Sequence, residues 1–282
     1  QKRPFVIPKE IKIFFVKYHD PSYIKLEKLE ILAKVANSDN INLILHELKE
    51  YTQEVDVEFV RRSIRVIGRC AIKLEKMADK CVQALWEALK TKVNYVVQEA
   101  IIVIRDIFRK YPNKYEALLK DICENLKSLD DPEAKASIVW IIGEYVEMIE
   151  NADDLLANFA EGFKDEPDVV QQQILISCVK LFLSRPADGQ EIVRDLLKTI
   201  TTECENPDLR DRGFIYWRLI ATNPQLAKKI VFSERPLISE QSYTIDSDLL
   251  DKLVENIGTL SAVYYKEPAA FVKKLKDNAN AK

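Results

Sequence analysis

Apolar residues recur along this chain with the spacing of buried helix faces. Leu118, Leu119, Ile122 and Leu126 lie three or four positions apart with charged residues between them, which is the period of an amphipathic helix. The same spacing predicts helices over residues 77–89, 115–126, 155–163 and 192–200. Each of these segments has one face to bury and one face for water, so the pattern indicates an all-helical chain.

A short pattern also recurs between these helices. Its first positions are separated by 36, 37, 38, 35 and 40 residues, a nearly constant period. The six copies begin at Asp20-Pro21, Asp56-Val57, Val93-Asn94, Asp131-Pro132, Glu166-Pro167 and Asn206-Pro207.

Each copy has the composition of a helix start. Asp or Asn caps the free amides of the first turn, and proline is tolerated at the first helical position because its missing donor would be unpaired there. An apolar stripe is predicted three and eleven positions after each start. The first set is Tyr23, Phe59, Val96, Ala134, Val169 and Leu209; the second is Ile31, Ile67, Ile104, Ile142, Ser177 and Trp217.

Two antiparallel helices in each period of about 40 residues are typical of HEAT and armadillo repeats. One helix pair cannot bury its own apolar face, whereas stacked neighbours can. The sequence therefore predicts an all-α, right-handed HEAT/armadillo-type superhelix of about seven pairs over residues 1–235. Residues 236–282 are predicted to form a terminal helical unit, with a capping helix over 246–265 inside a cap at 246–275. A further helix is expected at 11–18, and the start at Gln1 suggests an array cut from a longer one.

Composition agrees with this fold and narrows the function. Six glycines are few for a protein built on tight turns, and 47% apolar residues are ample for a core. A net charge of −3 does not favour a nucleic-acid binder. Five cysteines, an odd number with no CxxC spacing, favour reduced core residues in the cytoplasm over a disulfide framework.

Motifs for catalysis, metal binding or cofactor binding are not found in the sequence. There is no glycine-rich phosphate loop and no GxSxG element, and His19 and His46 have no partner at metal-ligand spacing. The acidic pairs Asp130-Asp131 and Asp153-Asp154 precede helices, where capping explains them. We therefore expect a protein that is not an enzyme and holds neither metal nor cofactor.

The main candidate for binding is a basic stripe. Arg61, Arg65 and Arg69 are spaced i, i+4 and i+8 on one helix, and Arg105 and Arg109 repeat that spacing in the next unit. Stacked in register, they would form one patch for an acidic partner segment or a lipid phosphate. The alternative is a solvated face, or arginines that tie adjacent repeats to Asp and Glu.

Aromatic residues are predicted mainly as core. Trp86, Trp140 and Trp217 fall on apolar faces, whereas Tyr216 is expected to be exposed. Near the N-terminus lie Phe14, Phe15, Tyr18 and Tyr23, which form either a groove or a face that packs on an upstream repeat.

Several longer runs resemble the trunk of beta-adaptins. The most specific are TKVNYVVQEA at 91–100 and VIRDIFRKYPNKY at 103–115. Others are IKIFFVKY at 11–18, IGRCAIK at 67–73, NPDLRDRG at 206–213, YWRL at 216–219 and RPLISE at 235–240. The resemblance covers nearly the whole chain and implies the C-terminal half of the trunk of a large subunit of a clathrin-associated adaptor complex.

This resemblance carries expectations about partners. Adaptor complexes are heterotetramers, in which this part of the trunk would hold the N-terminal domain of the medium chain and meet the other large chain. The complex would lie peripherally on coated pits, trans-Golgi or endosomal membranes and sort cargo. Clathrin would be bound only through a hinge beyond this segment, because the run at 43–47 has His46 where an apolar residue is needed. The alternatives are a HEAT scaffold of another cytosolic complex, an enzyme or enzyme regulator, and direct binding of acidic lipid.

Overall fold

A computed structural model of the chain describes residues 7–124, 129–233, 238 and 247–271, and it divides into two compact units, Gln1–Ile238 and Ser239–Lys282. The described part of the first unit contains a run of twelve α-helices. They are Ser22–Val35 (α1), Ile41–Tyr51 (α2), Val57–Lys73 (α3), Ala78–Lys90 (α4), Asn94–Lys110 (α5), Leu118–Glu124 (α6), Pro132–Glu144 (α7), Ala152–Glu161 (α8), Asp168–Ser184 (α9), Pro186–Glu203 (α10), Pro207–Thr222 (α11) and Pro224–Val231 (α12).

These helices form two layers. Each odd-numbered helix from α1 to α9 packs on the next odd-numbered helix, while α2 packs on α4, α4 on α6, and α8 on α10. Buried apolar side chains form one continuous core from Ile11 to Ala227. The predicted HEAT/armadillo-type α-α superhelix is confirmed, with six pairs in the described part of this unit. The helix predicted at 11–18 is wrong, because the chain forms a 3-10 helix at Ile7–Phe14 and leaves it before Tyr18.

Three of the six predicted starts are capped by the predicted side chain. Asp56 accepts hydrogen bonds from the backbone amides of Glu58 and Phe59, and Asp131 accepts one from Ala134. Asn206 does the same for Asp208 and Leu209. Satisfying these otherwise unpaired amides stabilises a helix start by about 0.5–2 kcal/mol.

Proline shifts the register of two other starts. Pro21 and Pro167 are themselves the N-cap residues of α1 and α9, so each helix begins one residue later than predicted. The predicted stripe residue Val169 is therefore exposed, and its neighbour Val170 is fully buried instead. Tyr23 is likewise exposed, and Ile24 is half-buried.

The apolar stripe predicted eleven residues after each start is confirmed for the second, third and fourth repeats and is wrong for the sixth. Ile67, Ile104 and Ile142 are buried, and buried Ser177 donates a hydrogen bond of 2.8 Å to the Val139 carbonyl. Trp217, predicted as core, is 45% exposed, whereas Tyr216, predicted as exposed, packs against the core. The inward face of α11 runs through Leu209, Gly213, Tyr216 and Ile220, whose spacing is that of one helix face.

The cysteines follow the core prediction only in part. Cys70, Cys81 and Cys178 are buried, whereas Cys123 and Cys204 are half-buried, and all five are free thiols. Burial raises the pKa of Cys81 and of Cys178 to about 12, because the apolar surroundings disfavour the thiolate. These buried thiols thus stay protonated and act as small apolar side chains.

Helices α7 and α9 approach each other closely at Gly143. A Cβ atom built on this glycine would lie 2.3 Å from the Ser177 hydroxyl and 2.8 Å from the Ser177 Cα. A side chain can rotate away from such a contact, but a backbone atom cannot. Gly143 is therefore required by the stacking of one repeat on the next.

The second unit is described from 247 to 271. It contains Ser247–Glu255 (α13), Leu260–Tyr264 (α14) and a 3-10 helix at Pro268–Ala270. The single helix predicted over 246–265 is wrong, because the chain turns after Glu255 and Thr259 caps a new helix through the amide of Ser261. Residue 246 lies outside the described residues. The capping role of this unit stays a prediction.

We predict that Gly143→Ala destabilises the array although alanine normally favours a helix over glycine. The free energy of unfolding should fall by about 1–3 kcal/mol, because helix α9 must move to admit the methyl group. Gly162→Ala is the matched control: its Cβ would meet only the Phe159 carbonyl oxygen, at 4.0 Å, and the effect should stay within about 1 kcal/mol.

Urea unfolding followed by circular dichroism measures both variants. Equal midpoints for Gly143→Ala and Gly162→Ala would contradict the close approach of α7 and α9.

Candidate interaction surface

The candidate residues for catalysis or metal binding lie apart from one another. His19 and His46 are both exposed, and among the described residues no group of three or more His, Cys, Asp or Glu side chains is placed to hold a metal ion. Asp131 caps α7, and Asp153 and Asp154 lie in the first turn of α8. Of the helices that the structure describes, none has the length and apolar character of a membrane span. The arginines of the predicted basic stripe lie on the odd-numbered helices α3 and α5.

The basic residues of α3 tie this helix to both of its neighbours. Arg65 forms a two-pronged ion pair with Glu99 of α5, and this hydrogen bonding raises the pKa of Arg65. Glu99 is only 2% exposed, so Arg65 supplies the positive charge that a buried carboxylate needs. In the opposite direction, Arg69 Nη1 lies 2.7 Å from Glu30 Oε2 of α1.

A second kind of tie joins the C-terminal ends of the odd-numbered helices. Lys73 Nζ donates to the carbonyls of Ala33 and Lys34, at 3.2 and 2.7 Å, near the end of α1. Tyr111 donates its hydroxyl to the Ala71 carbonyl near the end of α3, at 2.8 Å. Arg185 reaches back in the same way to the carbonyls of Ile149 and Glu150. These donors satisfy carbonyls that a helix end or loop leaves unpaired.

The arginines of α5 are placed differently. Arg105 Nη1 donates to Ser137 Oγ of α7 at 3.0 Å, and its Nη2 lies 3.0 Å from Asp106 Oδ1. Arg109 forms no hydrogen bond or ion pair with any residue in the described ranges. Arg61 has a buried Nε without a partner among the described groups. The five arginines thus do not have a common environment: Arg65 and Arg69 are inter-repeat ties, and Arg105 and Arg109 face a groove.

This groove crosses three successive odd-numbered helices. It measures about 580 Å³ and is lined by Arg105 and Arg109 of α5, by Pro132, Glu133, Ala136 and Trp140 of α7, and by Val169 and Gln173 of α9. We refer to it as the α5–α7–α9 groove. Sequence reasoning identified the two arginines but assigned Trp140 to the core.

Trp140 and Trp86 lie at the edge of the core and not inside it, which helix periodicity alone does not predict. Trp140 is only half-buried, and Lys180 Nζ of α9 lies 6.0 Å from its ring centroid. Lys180 is itself buried and paired with Glu144 Oε2 at 2.5 Å. Trp86 is also not core: it is 36% exposed, its indole N–H donates to Asp121 of α6, and Lys90 Nζ lies 3.5 Å from its ring centroid. A tryptophan ring at the edge of an apolar face can pack on the core with one part of its surface and contact polar or charged side chains with the other.

The N-terminal aromatic residues do not form one groove. Phe14 and Phe15 are half-buried against the core, whereas Tyr18 and Tyr23 are exposed.

Comparison with known proteins places the chain in a family. The family model for the adaptin N terminal region matches residues 1–224. The chain is 58% identical to human AP-1 complex subunit beta-1 over 97% of its length and 58% identical to Dictyostelium discoideum AP-1 complex subunit beta over 98%. It is 45% identical to the Schizosaccharomyces pombe AP-2 complex subunit beta over 96%. It spans 29%, 29% and 40% of the lengths of these relatives.

The fold has a counterpart of low sequence identity in a homology model of the full-length AP-3 complex in an intermediate open conformation. The TM-score is 0.60 at 19% identity, over 77% of this chain and 40% of that chain. At this identity the match supports the helical-repeat fold alone. The family match and the extent of the beta-subunit similarity together show that this chain belongs to the adaptin family, as a beta-adaptin.

Proposed function

We propose that this chain is a scaffold segment of a clathrin-associated adaptor complex, where it binds the N-terminal domain of the medium chain and meets the other large chain. The observation that carries the proposal is the 58% identity to AP-1 beta subunits along 97% of the chain. As part of such a complex it would lie peripherally on coated membranes and take part in cargo sorting. Clathrin would bind through a segment outside this chain.

The architecture supports a role in holding other proteins. A two-layer array presents a long surface made of many helices, and each repeat contacts only its neighbours, so small rotations between repeats can change the curvature. Large partners fit such a surface better than a small substrate does. Both AP-1 and AP-2 beta chains are among the relatives, so the proposal applies to either type of complex.

The direct test is an isothermal titration of this chain with the N-terminal domain of an adaptor medium chain. We expect a dissociation constant in the micromolar range or below, because a stable interface of standard size usually supplies at least this affinity. A matched titration uses a phosphatase catalytic subunit or Ran, the partners of other helical-repeat scaffolds. Circular dichroism first shows that the chain is folded. If the folded chain then binds one of these proteins and does not bind the medium-chain domain, the proposal is overturned.

Lipid binding through the basic stripe is the alternative, and the ion pairs argue against it for α3. Arg65 and Arg69 already pair with Glu99 and Glu30, so their charges are partly neutralised within the array. A membrane would have to compete with these pairs.

A pair of variants on α3 separates the two roles. Arg65→Met removes the cation from the buried Glu99 carboxylate, and we expect the free energy of unfolding to fall by about 1–3 kcal/mol. Arg62→Met is the control: Arg62 lies 3.9 Å from Glu58, both side chains are largely exposed, and the effect should stay below about 0.5 kcal/mol.

Urea unfolding measures stability, and sedimentation with phosphatidylserine liposomes measures lipid binding in the same two variants. Loss of liposome binding by Arg65→Met at unchanged stability would support the lipid alternative instead.

A further inference from the structure

Two described arginines of the stripe, Arg61 and Arg109, form neither a hydrogen bond nor an ion pair with the described residues, and of these two only Arg109 lines the α5–α7–α9 groove. Arg109 lies on α5 one turn after Arg105. Its side chain is half-buried in the wall of the α5–α7–α9 groove, together with Arg105. A guanidinium that is partly removed from water and forms no ion pair is favourably placed to bind an anion.

The charge of the groove points the same way. Among its eight lining residues two are arginines and one, Glu133, is acidic. Arg105 pairs with Asp106 of its own helix and donates to Ser137, but 25% of its side chain stays accessible. Because the Cβ atoms of residues i and i+4 of a helix lie about 5–6 Å apart, the two guanidinium groups can donate hydrogen bonds to two carboxylates of one short segment.

Of the other five lining residues, four are apolar and one, Gln173, is polar. Pro132, Ala136 and Trp140 line it along α7, and Val169 lies opposite on α9. Tryptophan and arginine are both among the residue types enriched in the strongest contributors to protein binding. An apolar side chain inserted against Trp140 would remove surface from water on both partners.

We propose that the α5–α7–α9 groove binds a peptide segment that carries two acidic residues followed by an apolar one. The carboxylates pair with Arg105 and Arg109, and the apolar side chain packs on Trp140. A membrane is a poorer occupant because both arginines are recessed in the groove wall, where a flat lipid surface does not reach. The proposal does not depend on the medium chain, since it concerns the groove residues alone.

Fluorescence anisotropy with a labelled peptide tests this proposal. The probe is a fluorescein-labelled ten-residue peptide with two glutamates two positions apart and a leucine after them, titrated with the chain at low salt. We expect the glutamate peptide to bind saturably. A second peptide with glutamines in place of the two glutamates should bind with an affinity at least about tenfold lower. Raising the NaCl concentration from about 50 to about 500 mM should weaken binding of the glutamate peptide several-fold.

The informative variant is Arg109→Gln, because Arg109 has no partner in the described array and its loss should leave the melting temperature unchanged. We expect its dissociation constant to rise about tenfold. Arg62→Gln is the matched control: Arg62 is an exposed arginine on the neighbouring helix α3 and does not line the groove, so the dissociation constant of this variant should stay within about twofold of that of the unmodified chain. Trp140→Phe should weaken binding several-fold while keeping an aromatic ring in place.

Three results would overturn the proposal. One is no saturable binding of the glutamate peptide, and another is equal losses in Arg109→Gln and Arg62→Gln, which would indicate general charge attraction. The third is Arg109-dependent sedimentation with phosphatidylserine vesicles without peptide binding, which would make the groove a lipid site. Failure of the medium-chain titration leaves these measurements unaffected, so the two proposals are tested separately.

Discussion

Each helix pair of this chain depends on the next pair to cover its apolar face. The buried residues form one core that runs through all the described repeats of the first unit, and no repeat has a separate core of its own. The spacing between repeats is therefore under strong constraint. Gly143 shows how strong: helix α9 lies so close to it that a single methyl group would meet the Ser177 backbone. Where helices stack at this distance, the identity of each facing residue is decided by the residue one repeat away.

The polar contacts follow the same period. The ties made by Arg65, Arg69, Tyr111 and Arg185 join residues 34 to 40 positions apart, which is one repeat. Some neutralise a buried carboxylate such as Glu99, and others satisfy carbonyls at the end of the preceding helix. Several charges on the odd-numbered helices thus stabilise the stacking, and a basic stripe on such a helix is by itself poor evidence of a ligand. Arg109 has no such partner among the described residues. Unlike Arg61, which is also unpaired there, Arg109 lines the α5–α7–α9 groove, and this placement makes it a binding candidate.

The periodic features were predictable from sequence, and the features set by single neighbours were not. Helix starts and the second helix of each pair follow from spacing and capping chemistry, so α3, α7 and α11 begin where Asp56, Asp131 and Asn206 predict. At Pro21 and Pro167 the same motif shifts by one residue, because proline takes the N-cap position itself, and the sequence pattern does not distinguish the two arrangements. Trp217 was placed in the core by counting from the helix start, although α11 turns a slightly different face inward. The partners of Arg65 and Arg109 depend on side-chain geometry across repeats, which periodicity cannot show.

The nearest-neighbour character of the array also decides how a ligand in the α5–α7–α9 groove would act. Its lining residues come from three successive helices, so the width of the groove depends on two stacking interfaces at once. One of them, α7 on α9, is held by the Gly143 approach, by Ser177 and by the ion pair between the buried Lys180 and the half-buried Glu144. The other, α5 on α7, includes the Arg105–Ser137 contact at the groove itself. A segment that binds Arg105 therefore acts on the α5–α7 interface, and any ligand that prefers one groove width must favour one curvature of the array by the same free energy.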